Sequence, residues 1–96
     1  MTIQDELKIN KEAVLRIAAR HGASDVRLFG SAARGDARSG SDIDLLVAAG
    51  PDTSPWFPAG LKEELEWLLG RSVDVMTEAA LHWSIRDRVR REAIPL

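Results

Sequence analysis

Leu7, Val14, Ile17 and Ala18 recur at helical spacing between polar residues, and Gly22 follows His21 where a left-handed cap would close a helix. The spacing predicts one amphipathic helix over about the first 20 residues. The period then changes. Val26, Arg27, Leu28 and Phe29 are β-prone and bounded by Ser24-Asp25 and Gly30-Ser31, which predicts a short strand. From Gly30 to Ser41 the chain is small and polar, with three glycines that permit tight turns and close backbone approach. Ala32 and Ala33 allow one helical turn after Ser31. From Asp42 the alternation is strict: Ile43, Leu45 and Val47 fall on one face, and Asp42, Asp44 and Leu46 on the other. This is a second strand.

Gly50 to Pro55 breaks the backbone, and Leu61, Leu65, Leu68 and Leu69 then form a helical stripe closed by Gly70. Ser72 to Met76 returns to alternation, with Val73 and Val75 opposite Asp74 and Met76. Thr77 is placed as an N-cap, Glu78 sits in a first turn, and Leu81, Ile85 and Val89 predict a last helix running to about Glu92. The order helix, strand, turn, strand, helix, strand, helix predicts an α/β (α+β) fold, a small mixed sheet flanked by helices. The helix between the second and third strands is long enough for a right-handed crossover, which makes those strands parallel neighbours. The first two, joined by a short loop, are expected to be antiparallel.

Composition narrows the functional classes. The chain has 96 residues, 45% of them hydrophobic and 29% charged, as expected of one globular domain spanning residues 1–96. It contains no cysteine, so disulfides, thiolate metal sites and a cysteine nucleophile are excluded. That suits a reducing compartment, and a cytoplasmic location is expected. No apolar run approaches the ~20 residues needed to cross a bilayer. The mixed-charge start Met1-Thr-Ile-Gln-Asp-Glu does not resemble a signal peptide. Thirteen basic against fifteen acidic residues give no electrostatic case for a nucleic-acid binder.

The chemistry lies in the carboxylates and the glycine-serine corner. Asp42 and Asp44 share a strand face with α-carbons ~6–7 Å apart. Two such groups must be solvated, protonated or neutralised by a cation, and hard oxygen donors suit Mg²⁺ or Mn²⁺. Asp74, isolated between two valines on the expected neighbouring strand, would add a third carboxylate to the same face if its register allows, and three can hold two metals ~3.5–4 Å apart. Gly30-Ser31 ends a strand and opens a possible helical turn. There a phosphate could approach the backbone and accept from the hydroxyl and the following N–H groups. Arg34 could pair with phosphate or fix its own loop through Asp36 or a nearby carbonyl. Ser41 reads as a turn residue or as a donor behind the ligands.

Taken together, Gly30-Ser-Ala-Ala-Arg-Gly35, Ser41-Asp-Ile-Asp-Leu-Leu-Val47 and Val73-Asp-Val-Met76 resemble the minimal nucleotidyltransferases of the DNA polymerase β-like superfamily. The resemblance spans about half the chain. It implies that Gly30 and Ser31 hold a nucleoside triphosphate, and that Asp42 and Asp44 bind two Mg²⁺ ions. It further implies that Asp74 completes the metal site and serves as the base for the attacking hydroxyl.

Small members of that family are similar to antitoxins whose partner is a helical HEPN-type ribonuclease toxin. The resemblance implies transfer of AMP from ATP to a hydroxyl of the partner protein, a tyrosine in the typical case. Larger relatives carry a second domain for the acceptor, and the shortness of this chain is one more reason to expect the acceptor site on a partner. Two alternatives stay open: a binding module that neutralises its toxin by occlusion, and a transferase acting on a small molecule or RNA.

The remaining residues have simpler readings. His21 and His82 are expected in structural or solvent-facing roles. Arg86, Arg88, Arg90 and Arg91 read as a solvated basic face. Trp56 and Phe57 cap the core, meet a partner or stack on a nucleobase. Trp67 and Trp83 are expected to be partly buried.

Overall fold

Alternation in the strands and the leucine and valine stripes in the helices produce a sheet covered on both faces. The computed structural model describes residues 2–36, 42–53 and 56–96. In chain order its elements are α1 (Ile3–Ile9), α2 (Lys11–Arg20), β1 (Ala23–Phe29), α3 (Ser31–Arg34), β2 (Ile43–Ala49), α4 (Ala59–Leu69) and β3 (Val73–Met76). A 3₁₀ turn (Glu78–Ala80), α5 (Trp83–Glu92) and β4 (Ile94–Pro95) follow. The sheet order is β3-β2-β1-β4, with β1 antiparallel to β2 and β4, and β2 parallel to β3. The mixed sheet and both strand pairings expected from the sequence are present.

On one face Leu7 of α1, Val14 and Ala18 of α2, and Leu61 and Leu65 of α4 pack against Leu28, Ile43, Leu45, Val47 and Val73 of the sheet. On the other, Leu46 is buried against Leu81 and Val89, with Phe29, Met76 and Ile85 around them. Each fully buried leucine contributes roughly 1.5–3 kcal/mol. Leu46 shares the acidic face of β2, so α5 covers that face beyond the aspartates.

Several boundaries differ from the sequence pattern for local reasons. The N-terminal helix is two helices, because Asn10 ends α1 and opens α2, its side chain donating to the Glu6 carbonyl at 2.8 Å. β1 begins at Ala23, before the Ser24-Asp25 pair that looked like its boundary. Asp25 adopts φ 50°, and the ladder shifts register between Ser24 and Arg27, so the pair forms an irregularity within the strand. Thr77 caps only the 3₁₀ turn, and α5 starts afresh at His82, whose side chain accepts from the Ser84 N–H. β4 carries no alternation signal, being two residues long with a proline, as an edge strand allows.

Trp67 and Trp83 are 88% and 77% exposed, not partly buried as expected. Each stands on the outer side of its helix, away from the leucine or valine stripe that packs. Phe57 packs against the core while Trp56 is 78% exposed, so the adjacent aromatics divide between two roles.

Candidate active site

Strand direction brings the candidate residues together. The antiparallel β1–β2 pair sets the end of β1 beside the start of β2, and the parallel β2–β3 pair sets the two starts side by side. In register, Phe29 lies opposite Asp44, and Asp44 opposite Asp74. Gly30, Asp44 and Asp74 therefore meet at one end of the sheet. Asp42 is exposed and lies just ahead of β2. Ser41 and residues 37–40 lie outside the described residues.

Gly30 has φ 75° and ψ −154°, a conformation essentially restricted to glycine. A β-carbon there would collide with Oδ2 of Asp44 and come within 3.2 Å of its Cγ. The glycine thus serves both the turn and the close approach of the acid. Its carbonyl accepts from the Ala33 and Arg34 N–H groups, each at 3.1 Å, which makes Ser31 the first residue of α3. The N–H groups that open a helical turn have no partner inside it. Gln4 of α1 donates to the Ala32 carbonyl at 3.0 Å and fastens the turn from behind.

Burial raises the pKa of Asp44 above the ordinary carboxylate value, the Asp74 and Asp42 charges add to the effect, and Arg34 opposes it. Arg34 itself is ion-paired through Nε to Asp36 at 3.1 Å and through Nη1 to Glu92 at 3.2 Å. The loop-fixing contact weighed for it is present, and Glu92 of α5 is a second partner that the sequence pattern did not suggest. Asp74 is more open, with its Oδ1 3.8 Å from the ammonium of Lys62.

The donor set fits a hard divalent cation: three carboxylates of one sheet end, one of them strained by burial and by its like-charged neighbours. The side chains are neighbours and not a finished cage, since no three His, Cys, Asp or Glu groups among the described residues already converge on a metal position. A phosphate at Gly30-Ser31 would also face the Asp44 carboxylate, an unfavourable pairing unless a cation lies between them.

Two residues beside the site carry no sign of that place in the sequence pattern. Lys62 and Glu66 on α4 are linked at 3.0 Å, and both reach the start of β3. Their i, i+4 spacing was a readable signal for a helix pair but not for its destination. His21 ends α2 beside Glu64 at 3.1 Å, and His82 caps α5, so both histidines take structural places. Of the basic face, Arg86 donates to the Glu78 and Leu81 carbonyls and Arg90 pairs with Glu78, which fixes α5 to the 3₁₀ turn.

Residues 10–96 match the family model described as a nucleotidyltransferase domain. The chain belongs to the minimal nucleotidyltransferases. It is 50% identical to a solved structure described as a candidate minimal nucleotidyltransferase, with a TM-score of 0.85, covering 100% of this chain and 97% of that one. A Methanocaldococcus jannaschii protein, named as a candidate protein adenylyltransferase, is 39% identical over 88% of this chain and 90% of its own length. The protein adenylyltransferase MntA of Thermococcus cleftensis is 37% identical over 78% of this chain and 76% of its own. A toxin-antitoxin structure with AMP-PNP, 20% identical, shares the fold at a TM-score of 0.74 over 90% of this chain and 71% of that one. As a nucleotidyltransferase the chain is an enzyme that uses a nucleotide substrate. Among the described residues no helix is long and apolar enough to cross a membrane.

Proposed function

We propose that this nucleotidyltransferase transfers AMP from ATP to a hydroxyl of a partner protein and acts as the antitoxin of a HEPN-type ribonuclease toxin in the cytoplasm. The observation that carries the chemistry is the meeting of Gly30, Asp44 and Asp74 at one sheet end. The names of the relatives support the choice of AMP and of a protein acceptor.

In this reading Asp42, Asp44 and Asp74 hold two divalent cations, Mg²⁺ or Mn²⁺. Once bound, such ions neutralise charge on the triphosphate and lower the pKa of the attacking hydroxyl. Gly30 and Ser31 hold the phosphates through backbone N–H groups and the serine hydroxyl. Arg34 is a further phosphate donor, because its guanidinium has five N–H groups and the two ion pairs engage only Nε and Nη1. Asp74, the more open acid, takes the proton as the acceptor oxygen bonds to the α-phosphorus and the bond to pyrophosphate breaks. The products are an AMP ester of the partner and pyrophosphate. Holding the reactants in line is the main contribution of such a site, since no protein nucleophile is needed.

Trp56, Trp67 and Trp83 support a protein partner, because large aromatics are enriched at interfaces. The same tryptophans favour a second reading, in which binding alone occludes the toxin. The test incubates the chain with the product of the adjacent reading frame, Mg²⁺ and ATP labelled at either the α- or the γ-phosphate. Label should pass to the partner from the α-position only. Transfer from the γ-position would exclude nucleotidyl transfer, and neutralisation without any transfer would establish occlusion.

A further inference from the structure

Lys62 and Glu66 stand one turn apart on α4 and converge on a single residue of β3. Glu66 Oε2 accepts from the Val73 N–H at 3.0 Å, and Lys62 Nζ donates to the Val73 carbonyl at 2.6 Å. β3 lies at the edge of the sheet, with β2 on one side only. The Ile43 N–H donates to the Ser72 carbonyl at 2.9 Å, so in a parallel ladder the Val73 groups point away from β2. The two side chains therefore take the place of a neighbouring strand at that residue, which also blunts an open edge.

The next residue is Asp74, whose Oδ1 lies 3.8 Å from Lys62 Nζ. An ammonium group has three protons. Two of them go to the Val73 carbonyl and the Glu66 carboxylate, and the ammonium lies within ion-pair distance of Asp74. Its contacts all serve to hold something already in the chain.

We propose that the Lys62–Glu66 pair positions Asp74, locking the peptide that precedes it and holding its carboxylate beside Asp44. This deepens the reading of Asp74 as a cation ligand and rests on it. A lysine acting only through its charge would repel a cation, so its loss would tighten cation binding. A lysine that places a ligand has the opposite effect when lost.

Mn²⁺ alone, titrated into the full chain and followed by the resonance signal of the free ion, separates the two. Lys62→Met should weaken Mn²⁺ binding by about tenfold, the usual size for loss of a group that orients a ligand. Glu66→Gln keeps the shape of the side chain and should weaken binding in the same direction. The double variant Lys62→Met/Asp74→Asn should bind no more weakly than Asp74→Asn, because residues that act through one another are not additive. Melting curves by circular dichroism establish that each variant is folded. Tighter or unchanged binding in folded Lys62→Met and Glu66→Gln would overturn the proposal, as would a double variant weakened by the product of the two single effects. Unchanged binding in Asp74→Asn would instead remove Asp74 from the cation site, and the proposal with it.

Discussion

Asp44 and Asp74 stand opposite one another across the parallel β2–β3 ladder, and burial together with the Asp74 charge holds the Asp44 carboxyl above the ordinary carboxylate range. An acid so placed costs stability in the folded chain, a cost that the proposed cation and triphosphate would offset. Functional sites commonly carry such local conflicts.

Asp44→Asn should separate the two effects. With its pKa raised, Asp44 keeps a proton in the folded state that the unfolded chain has released above the ordinary value of 3.8. Stability without cations is therefore lost as pH rises from that value through the raised one, and it stays lower at neutral pH. Asparagine removes this cost, so the melting temperature in chelator at pH 7 should rise, on the order of a few degrees. Transfer should fall by about a thousandfold or more, the several kcal/mol that metal-assisted charge stabilisation supplies.

Gly30→Ala should damage the site and the fold together. The positive φ costs about 1–3 kcal/mol for a residue with a side chain. The added methyl must also displace Asp44. Denaturant melts should show that loss, and nucleotide binding should weaken beyond what the lost stability explains.

Acid should loosen the attachment of α5. Hydrogen bonds from Arg90 and then Arg27 hold the Glu78 carboxyl below its ordinary value of 4.5. A depressed carboxylate contributes stability above its unfolded pKa, and that contribution is lost as pH falls through the folded one. Glu78→Gln should lower stability at pH 7 and flatten the decline below about pH 4.5, both read from melts across pH. An unchanged acid limb would mean that other carboxylates carry it.

Trp67→Ala should leave the melting temperature nearly unchanged, because the side chain is 88% exposed and packs on little. If α4 presents it to the partner, affinity should fall by about tenfold or more, as for an aromatic anchor at an interface. Calorimetric titration with the partner measures this directly.

Much of the fold was legible because periodicity and register are coupled. Strict alternation from Asp42 to Val47 placed Asp44 opposite Ile43 and Leu45, and the leucine stripe from Leu61 to Leu69 located the crossover helix that makes β2 and β3 parallel. These make Asp44 and Asp74 candidates for one sheet face, and the β2–β3 register that sets them opposite each other comes from the structure. What stayed hidden depends on single side chains seeking backbone partners. Asn10 breaks a helix that propensity would continue, His82 opens one where Thr77 was the stronger N-cap signal, and Asp25 accommodates an irregularity that reads as a turn. Lys62 and Glu66 looked like an exposed helix pair, and only the tertiary structure brings them to Val73. The tryptophans depart from expectation because burial of apolar side chains is a tendency, and single exposed aromatics are common on protein surfaces.

The proposed activity is AMP transfer to a partner protein at a site built from Asp42, Asp44 and Asp74. Intact mass spectrometry of the partner, produced together with this chain and separately with its Asp44→Asn form, tests it most directly. The partner should gain the mass of one or more AMP groups beside the native chain and none beside the variant. An unmodified partner neutralised equally by both forms, or the same added mass with both, would contradict it.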